Sequence, residues 1–154
     1  MQAASVMPSD ERPDQTRIVI PSDPMAVRQA LQALFDHLMT GRMSADDRDT
    51  AQIVLAEALN NIVEHAYAQE PGEIEVIVEL CASGLTCRIM DAGLPMPGGT
   101  LPQGVLAPMP SNDDLPEGGF GWHLIRTLSE DLHYRREDGR NLLTFRILAQ
   151  QYPH

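Results

Sequence analysis

Three short constellations in this 154-residue chain carry side chains that could do chemistry. The first is Glu57-Ala58-Leu59-Asn60-Asn61, continuing to His65. If this stretch is helical, an advance of about 100° per residue puts Glu57, Asn61 and His65 at roughly 0°, 40° and 80°, and Leu55, Leu59, Ile62, Val63 and Ala66 between about 140° and 240°. A carboxylate one turn from an amide suits a specific task. The carboxylate can take a proton from a nucleophile, and the amide oxygen is a neutral ligand for Mg²⁺. Polar helix stripes are more often plain solvated faces. Two adjacent Asn in mid-helix carry a propensity cost, however, and a solvated face would more often use Glu, Lys, Gln or Arg. The second constellation is Asp91-Ala92-Gly93, directly after an apolar run. An Asp at a strand end can accept from an exocyclic amine, and a Gly permits close backbone approach; alone, the pattern is also a simple turn. The third is Gly118-Gly119-Phe120-Gly121 ahead of Trp122, Leu124 and Ile125. Glycines at a helix start offer bare N–H groups and the positive end of the dipole to phosphates. This stretch follows a loop, not a strand, so it does not fit the Rossmann pattern.

The elements that must position these groups follow from periodicity. Arg17 to Ile20 is a β-branched strand closed by Pro21. Pro24 opens a helix to about Met39, with Ala26, Ala30, Leu31, Leu34, Phe35 and Leu38 on its apolar face. Ser44 is the N-cap of a second helix running to about Ala68, with Asp46 and Asp47 in its first turn. Ile74 to Leu80 and Leu85 to Met90 form a hairpin turning near Ser83-Gly84. Residues 93–121 hold six of the 12 prolines and seven of the 11 glycines, a long loop of the functional kind. A helix from about Phe120 to Glu130 and two strands, Leu132 to Arg136 and Leu142 to Leu148, close the chain around Asp138-Gly139. This order predicts an α+β, two-layer sandwich with helices on one face of a mixed, mostly antiparallel sheet. Residues 1–16 read as a flexible polar tail, and 17–150 as one domain.

Composition removes several alternatives. The 11 basic residues are all arginine. Without lysine there is no Walker A loop, no Schiff-base lysine for pyridoxal and no ordinary protein-kinase strand lysine. A formal net charge of -11 repels nucleic-acid backbones and anionic membranes. No run of 18 apolar residues is present and the first residues lack a signal-peptide core, so the cytoplasm is the expected compartment. Cys81 and Cys87 fit neither a zinc site nor a CxxC pair. A cross-strand bridge is conceivable, but two buried thiols are the reading adopted.

Order and spacing together are more specific than each motif. Glu57 to Asn61 with His65-Ala66-Tyr67 resembles the N-box of the GHKL ATP-binding superfamily. Asp91-Ala92-Gly93 resembles its first glycine box, and Gly119-Phe120-Gly121 with Leu124-Ile125 its second. The resemblance spans Arg17 to Leu148. Asp114 to Gly121 and the ending Gly139-Arg140-Asn141-Leu142-Leu143-Thr144 narrow it to the bacterial anti-sigma-factor serine kinases.

That resemblance implies a Bergerat-type ATP-binding fold with a lid at about 94–118. Glu57 would be the general base toward a Ser or Thr hydroxyl, and Asn61 would hold Mg²⁺ on the triphosphate. Asp91 would accept from the adenine amino group, with Gly93 making room for the base. Gly119 and Gly121 would cradle the phosphates, and Thr144 would join the adenine contact through a water. Implied partners are a STAS-type antagonist, a sigma factor or other regulator, and a second copy in a homodimer. The other reading is an ATP-binding regulatory module, non-catalytic or weakly hydrolytic, that acts by sequestration. Residues 94–121 hold no basic residue, so a cation for the γ-phosphate must come from elsewhere, with Arg126 the candidate.

Overall fold

The first two helices begin where a side chain replaces the missing intrahelical acceptor of the first turn. In the computed structural model, which describes residues 5–8, 15–38, 42–103 and 119–149, Asp23 accepts from the Ala26 N–H at 3.0 Å and Pro24 opens α1, Pro24–Ala33. Ser44 accepts from the Asp47 N–H at 3.0 Å and starts α2, Ala45–Asn61, with Asp46 and Asp47 at its positive end. Both helices then widen into a single π turn, Leu34–Leu38 and Ile62–Ala66. Each pair fills the span that the sequence assigns to one helix.

The strands are β1 Ser5–Pro8, β2 Gln15–Pro21, β3 Glu73–Cys81, β4 Gly84–Asp91, β5 Glu130–Glu137 and β6 Arg140–Leu148. They form one sheet in the order β1-β2-β3-β4-β6-β5. Every ladder among the described residues is antiparallel. The β5–β6 turn holds Asp138 and Gly139 at φ of 53° and 76°, the positive values that a two-residue hairpin needs. The third helix, α3, spans Gly119–Leu128.

One difference from the sequence reading lies at the N-terminus. Ser5–Pro8 falls inside the expected polar tail, yet it pairs with β2 from Ser5 opposite Val19 to Pro8 opposite Thr16. The open edge of β2 offers backbone donors and acceptors that a strand can satisfy whatever its side chains are.

Period-two alternation on the strands gives the sheet one buried face. Ile18, Ile20, Ile74, Val76, Val78, Leu85, Cys87, Ile89, Leu143, Phe145 and Ile147 form a single core with Val27, Leu31, Leu55, Leu59 and Ile125 of the helices. The result is the expected two-layer α/β sandwich. At the end of that buried face the ladder places Asp91 directly opposite Asn141. The apolar rows of β4 and β6 therefore end in a buried polar pair, with both residues 5% exposed.

Leu59 is fully buried, whereas the Ser44 cap lies at a helix end. Leu59→Ala is expected to cost about 2–5 kcal/mol in urea unfolding and Ser44→Ala about 1 kcal/mol. Equal losses for the two variants would mean that the core around Leu59 is not packed as described.

Candidate functional site

On α2, Asn61 sits one turn after Glu57 and its Nδ2 donates to the Glu57 carbonyl at 3.0 Å. That bond turns Oδ1 the other way, and among the described residues Oδ1 has no donor. Glu57 reaches across to α3. A Cβ built at Gly121 would stand 2.6 Å from Glu57 Oε2 and 3.5 Å from Asn61 Nδ2. The bare backbone of Gly121 is what lets the first turn of α3 lie against the carboxylate and the amide. Gly119 opens the same helix, whose first-turn N–H groups have no intrahelical acceptor and carry the positive end of the dipole. Glu57, Asn61 and Gly121 are thus one cluster at a helix N-terminus.

Asp91 closes β4. Its Oδ1 accepts from the Gly93 N–H at 2.9 Å and from Asn141 Nδ2 at 2.8 Å. Oδ2 accepts nothing among the described residues. Burial pushes this carboxyl above the usual carboxylate range, while the two hydrogen bonds and the Arg136 charge pull the other way. An acceptor held by one oxygen with the other free is suited to an N–H donor on a ligand.

The turn after Asp91 docks on the end of α2. A Cβ at Gly93 would fall 2.4 Å from the Ala66 carbonyl oxygen, and that oxygen accepts the Leu94 N–H at 2.8 Å. Gly93 therefore makes room for the helix backbone. The Tyr67 hydroxyl adds a second tie, donating to the Glu73 carbonyl at 2.6 Å and accepting the Ala92 N–H at 2.8 Å.

Between these groups lies a cavity of about 370 Å³, with Asn61, Ile62, Asp91, Met96, Trp122 and Leu143 in its wall. Its walls are largely apolar, with few polar groups, the usual make-up of a small-molecule site. A more open hollow of about 620 Å³ also touches Asp91 and Gly93, but it does not reach Asn61. The smaller cavity joins Asp91 to α2 and α3 and is the one whose groups form a set.

Thr144 is not part of it. On β6, Asn141, Leu143, Phe145 and Ile147 are buried while Thr144 falls on the alternate positions, opposite Arg88 and His133. The β6 residue beside Asp91 is Asn141. The parity of Thr144 against Leu143 and Phe145 was a signal for its place on the other face; the pairing of Asn141 with Asp91 needed the register. Arg126 is engaged elsewhere, its Nε donating to the Pro102 carbonyl at 2.8 Å, so it pins the start of the loop. Trp122 is buried at 3% exposure, as a packing residue. His65 is exposed at the rim, 3.9 Å from the Glu64 carboxylate. Cys81 and Cys87 are not joined in a disulfide; Cys87 is buried and Cys81 half-buried, which corrects the expectation that both thiols are buried. Of the expected lid, 94–103 is described, with a 3₁₀ turn at Pro97–Gly99; residues 104–118 lie outside the described residues.

The docking of Gly93 on Ala66 leaves no space for a methyl group. Gly93→Ala is expected to cost ~2–4 kcal/mol and to remove amide-exchange protection at Leu94. Retained protection at Leu94 would show that the turn is not held by α2.

Comparison with known proteins agrees with this geometry. Residues 20–147 match the model of the histidine kinase-like ATPase domain. A serine-protein kinase RsbW of Bacillus mycoides (strain KBAB4) is 32% identical over 109 residues, covering 69% of this chain and 68% of its own. The serine-protein kinase RsbW of Bacillus thuringiensis (strain Al Hakam) is 30% identical over 111 residues, with 69% and 68% covered. The same holds for the Bacillus anthracis (strain A0248) protein of that name. The relatives are thus named as serine-protein kinases, and the residues matched by the family model, 20–147, contain Glu57, Asn61, Asp91 and Gly121. The chain belongs to the histidine kinase-like ATPase domain family.

Proposed function

We propose that this protein is an ATP-dependent serine/threonine protein kinase of a bacterial partner-switching system, acting in the cytoplasm. Its acceptor is a STAS-type antagonist, and a sigma factor or other regulator is the partner it sequesters. The reading rests on one arrangement. A buried carboxylate, Asp91, keeps one oxygen free in an apolar cavity, and that cavity reaches Asn61, which lies beside Glu57 against the first turn of α3.

The parts divide the nucleotide between them. Asp91 Oδ2 accepts from the 6-amino group of adenine, and the apolar wall takes the ring faces. The first-turn N–H groups of α3, at Gly119 to Gly121, meet the phosphates, where a helix N-terminus favours anions. Asn61 fits a hard cation, because its amide oxygen is free while its nitrogen is tied to the Glu57 carbonyl. Among the described residues no three His, Cys, Asp or Glu side chains converge as a metal cage. Mg²⁺ would therefore be held by Asn61 together with the phosphates it accompanies, and it would neutralise their charge. Glu57 takes the proton of the acceptor hydroxyl as that oxygen bonds to the γ-phosphorus. The bond from the γ-phosphorus to its bridging oxygen then breaks, and ADP leaves. Positioning and electrostatics carry the rate.

A second reading has its own support. Arg126 is committed to the Pro102 carbonyl, and residues 94–121 contain no basic side chain. A loop with no basic side chain suits a slow kinase, or a module in which nucleotide sets the conformation that sequesters a partner. The net charge of -11 favours partners with a basic surface, by speeding encounter. No helix among the described residues is long and apolar enough to cross a membrane.

Glu57→Gln is expected to retain Mg-ATP binding within about threefold and to lower phosphate transfer to a protein acceptor by about 10²-fold or more. Transfer at the wild-type rate would remove Glu57 as base, and retained partner capture by this variant would favour the second reading. Mg-ATP is expected to raise the melting temperature by mass action on the folded state. Asp91→Asn should weaken ATP by roughly 10- to 100-fold, and Thr144→Ala should leave it within about twofold, since that side chain lies on the other face of β6. A strong loss from Thr144→Ala would contradict the strand parity described above.

A further inference from the structure

The amide of Asn141 makes four hydrogen bonds, and each partner is a group of the cavity or is tied to one. Nδ2 donates to Asp91 Oδ1 and to the Leu94 carbonyl, both at 2.8 Å. Oδ1 accepts from the Tyr134 hydroxyl at 2.6 Å and from Arg136 Nη1 at 3.0 Å. Tyr134 Oη in turn accepts the Met96 N–H at 3.0 Å, and Arg136 Nη1 also donates to the Gly93 carbonyl at 2.7 Å. Two side chains of the edge strand β5 therefore hold both the root of the loop and the neighbour of the base-facing carboxylate.

A primary amide has two N–H donors and an oxygen with two lone pairs, and here all four are used. Turning the Asn141 amide over would set its oxygen against Asp91 Oδ1 and the Leu94 carbonyl, and its N–H groups against Tyr134 and Arg136. The donors on Oδ1 thus act with the two acceptors on Nδ2 to fix which way the amide faces, and the amide acts with the Gly93 N–H to keep Oδ1 the occupied oxygen of Asp91. Of those two donors Arg136 lies on an exposed side chain, whereas Tyr134 is half-buried and packs on the core. The phenol is the better fixed of the two.

We propose that Tyr134 is a positioning residue that sets base specificity. Its hydroxyl fixes the Asn141 amide, which holds Asp91 with Oδ2 toward the ligand. The same hydroxyl ties this arrangement to the loop at Met96, so reading of the base and placement of the loop root share one anchor. This rests on the reading of the cavity as an adenine-nucleotide site.

The test compares dissociation constants for Mg-ATP and for the Mg complex of purine riboside triphosphate, which has hydrogen in place of the 6-amino group. The full chain and its Tyr134→Phe variant are measured side by side. The wild type is expected to prefer ATP by about tenfold or more, the worth of a hydrogen bond to a charged acceptor. Tyr134→Phe is expected to reduce that preference by about threefold or more through weaker ATP binding, with the analogue unchanged within about twofold. Equal weakening of both nucleotides, or an unchanged ratio, overturns the proposal. A wild type that binds neither nucleotide, or does not prefer ATP, overturns the underlying reading of the cavity instead. If Tyr134→Phe does not fold, Asn141→Ala removes the amide through which Tyr134 acts on Asp91, and an unchanged ratio there overturns the proposal equally.

Discussion

The site depends on a seam between two layers. The carbonyl of Ala66, at the end of the α2 π turn, receives the Leu94 N–H while Gly93 lies against it with no side chain between. The groups on either side of this seam have different work. Glu57 and Asn61 belong to the helix layer and face the N-terminus of α3; Asp91 belongs to the sheet. Nothing in the covalent chain fixes the span between a helix side chain and a strand side chain thirty or more residues apart. The seam does, and the Tyr67 hydroxyl repeats it a few residues on, by holding the Glu73 and Ala92 backbone together. On the proposed reading, a cavity that takes a base at one end and phosphates at the other needs that span to be constant.

The electrostatic design is unusual for a protein that would hold a polyanion. The chain carries -11 and has no lysine. Its arginines near the cavity are used inward: Arg136 on Gly93 and Asn141, Arg126 on Pro102. Their charge steadies backbone carbonyls and amides, leaving the helix dipole and an amide oxygen to face the ligand. Such groups are fixed by the fold and need little reorganisation when charge arrives, at the cost of a weaker pull than a free cation exerts.

The sequence was most informative where a single element decides the geometry. Glu57, Asn61 and the core stripe from Leu55 to Ile62 lie on one helix, so 3.6-residue periodicity places them without knowledge of the rest. Both helix caps and the Asp138-Gly139 turn are local for the same reason. The strand pairings are not local. Parity along β6 could separate Thr144 from the buried row, yet only the register of β6 against β4 puts Asn141 beside Asp91. Tyr134 and Arg136 were out of reach for the same cause, since their partners are set by the β5 ladder and its bulge between Glu130 and His133. The contact that explains Gly93 is with a helix end 27 residues upstream in sequence order. β1 gave no signal because its strand is stabilised by the edge it joins. The π turns were invisible because a one-residue widening leaves the apolar pattern of a helix nearly intact.

That widening has a consequence for the history of such a chain. A π turn is an α-helix carrying one extra residue, and here the extra residue lies between Asn61 and Tyr67, where Tyr67 N–H bonds back to the Ile62 carbonyl at 3.0 Å. Losing one residue in that stretch would restore a regular helix and swing Ala66 and Tyr67 by about 100° about its axis. The carbonyl that meets Leu94 and the phenol that meets Ala92 would then point away from the sheet. Between Asn61 and Tyr67, chain length is constrained more tightly than side-chain identity. Substitutions there can be absorbed by repacking, but an insertion or deletion would separate the two halves of the site at once.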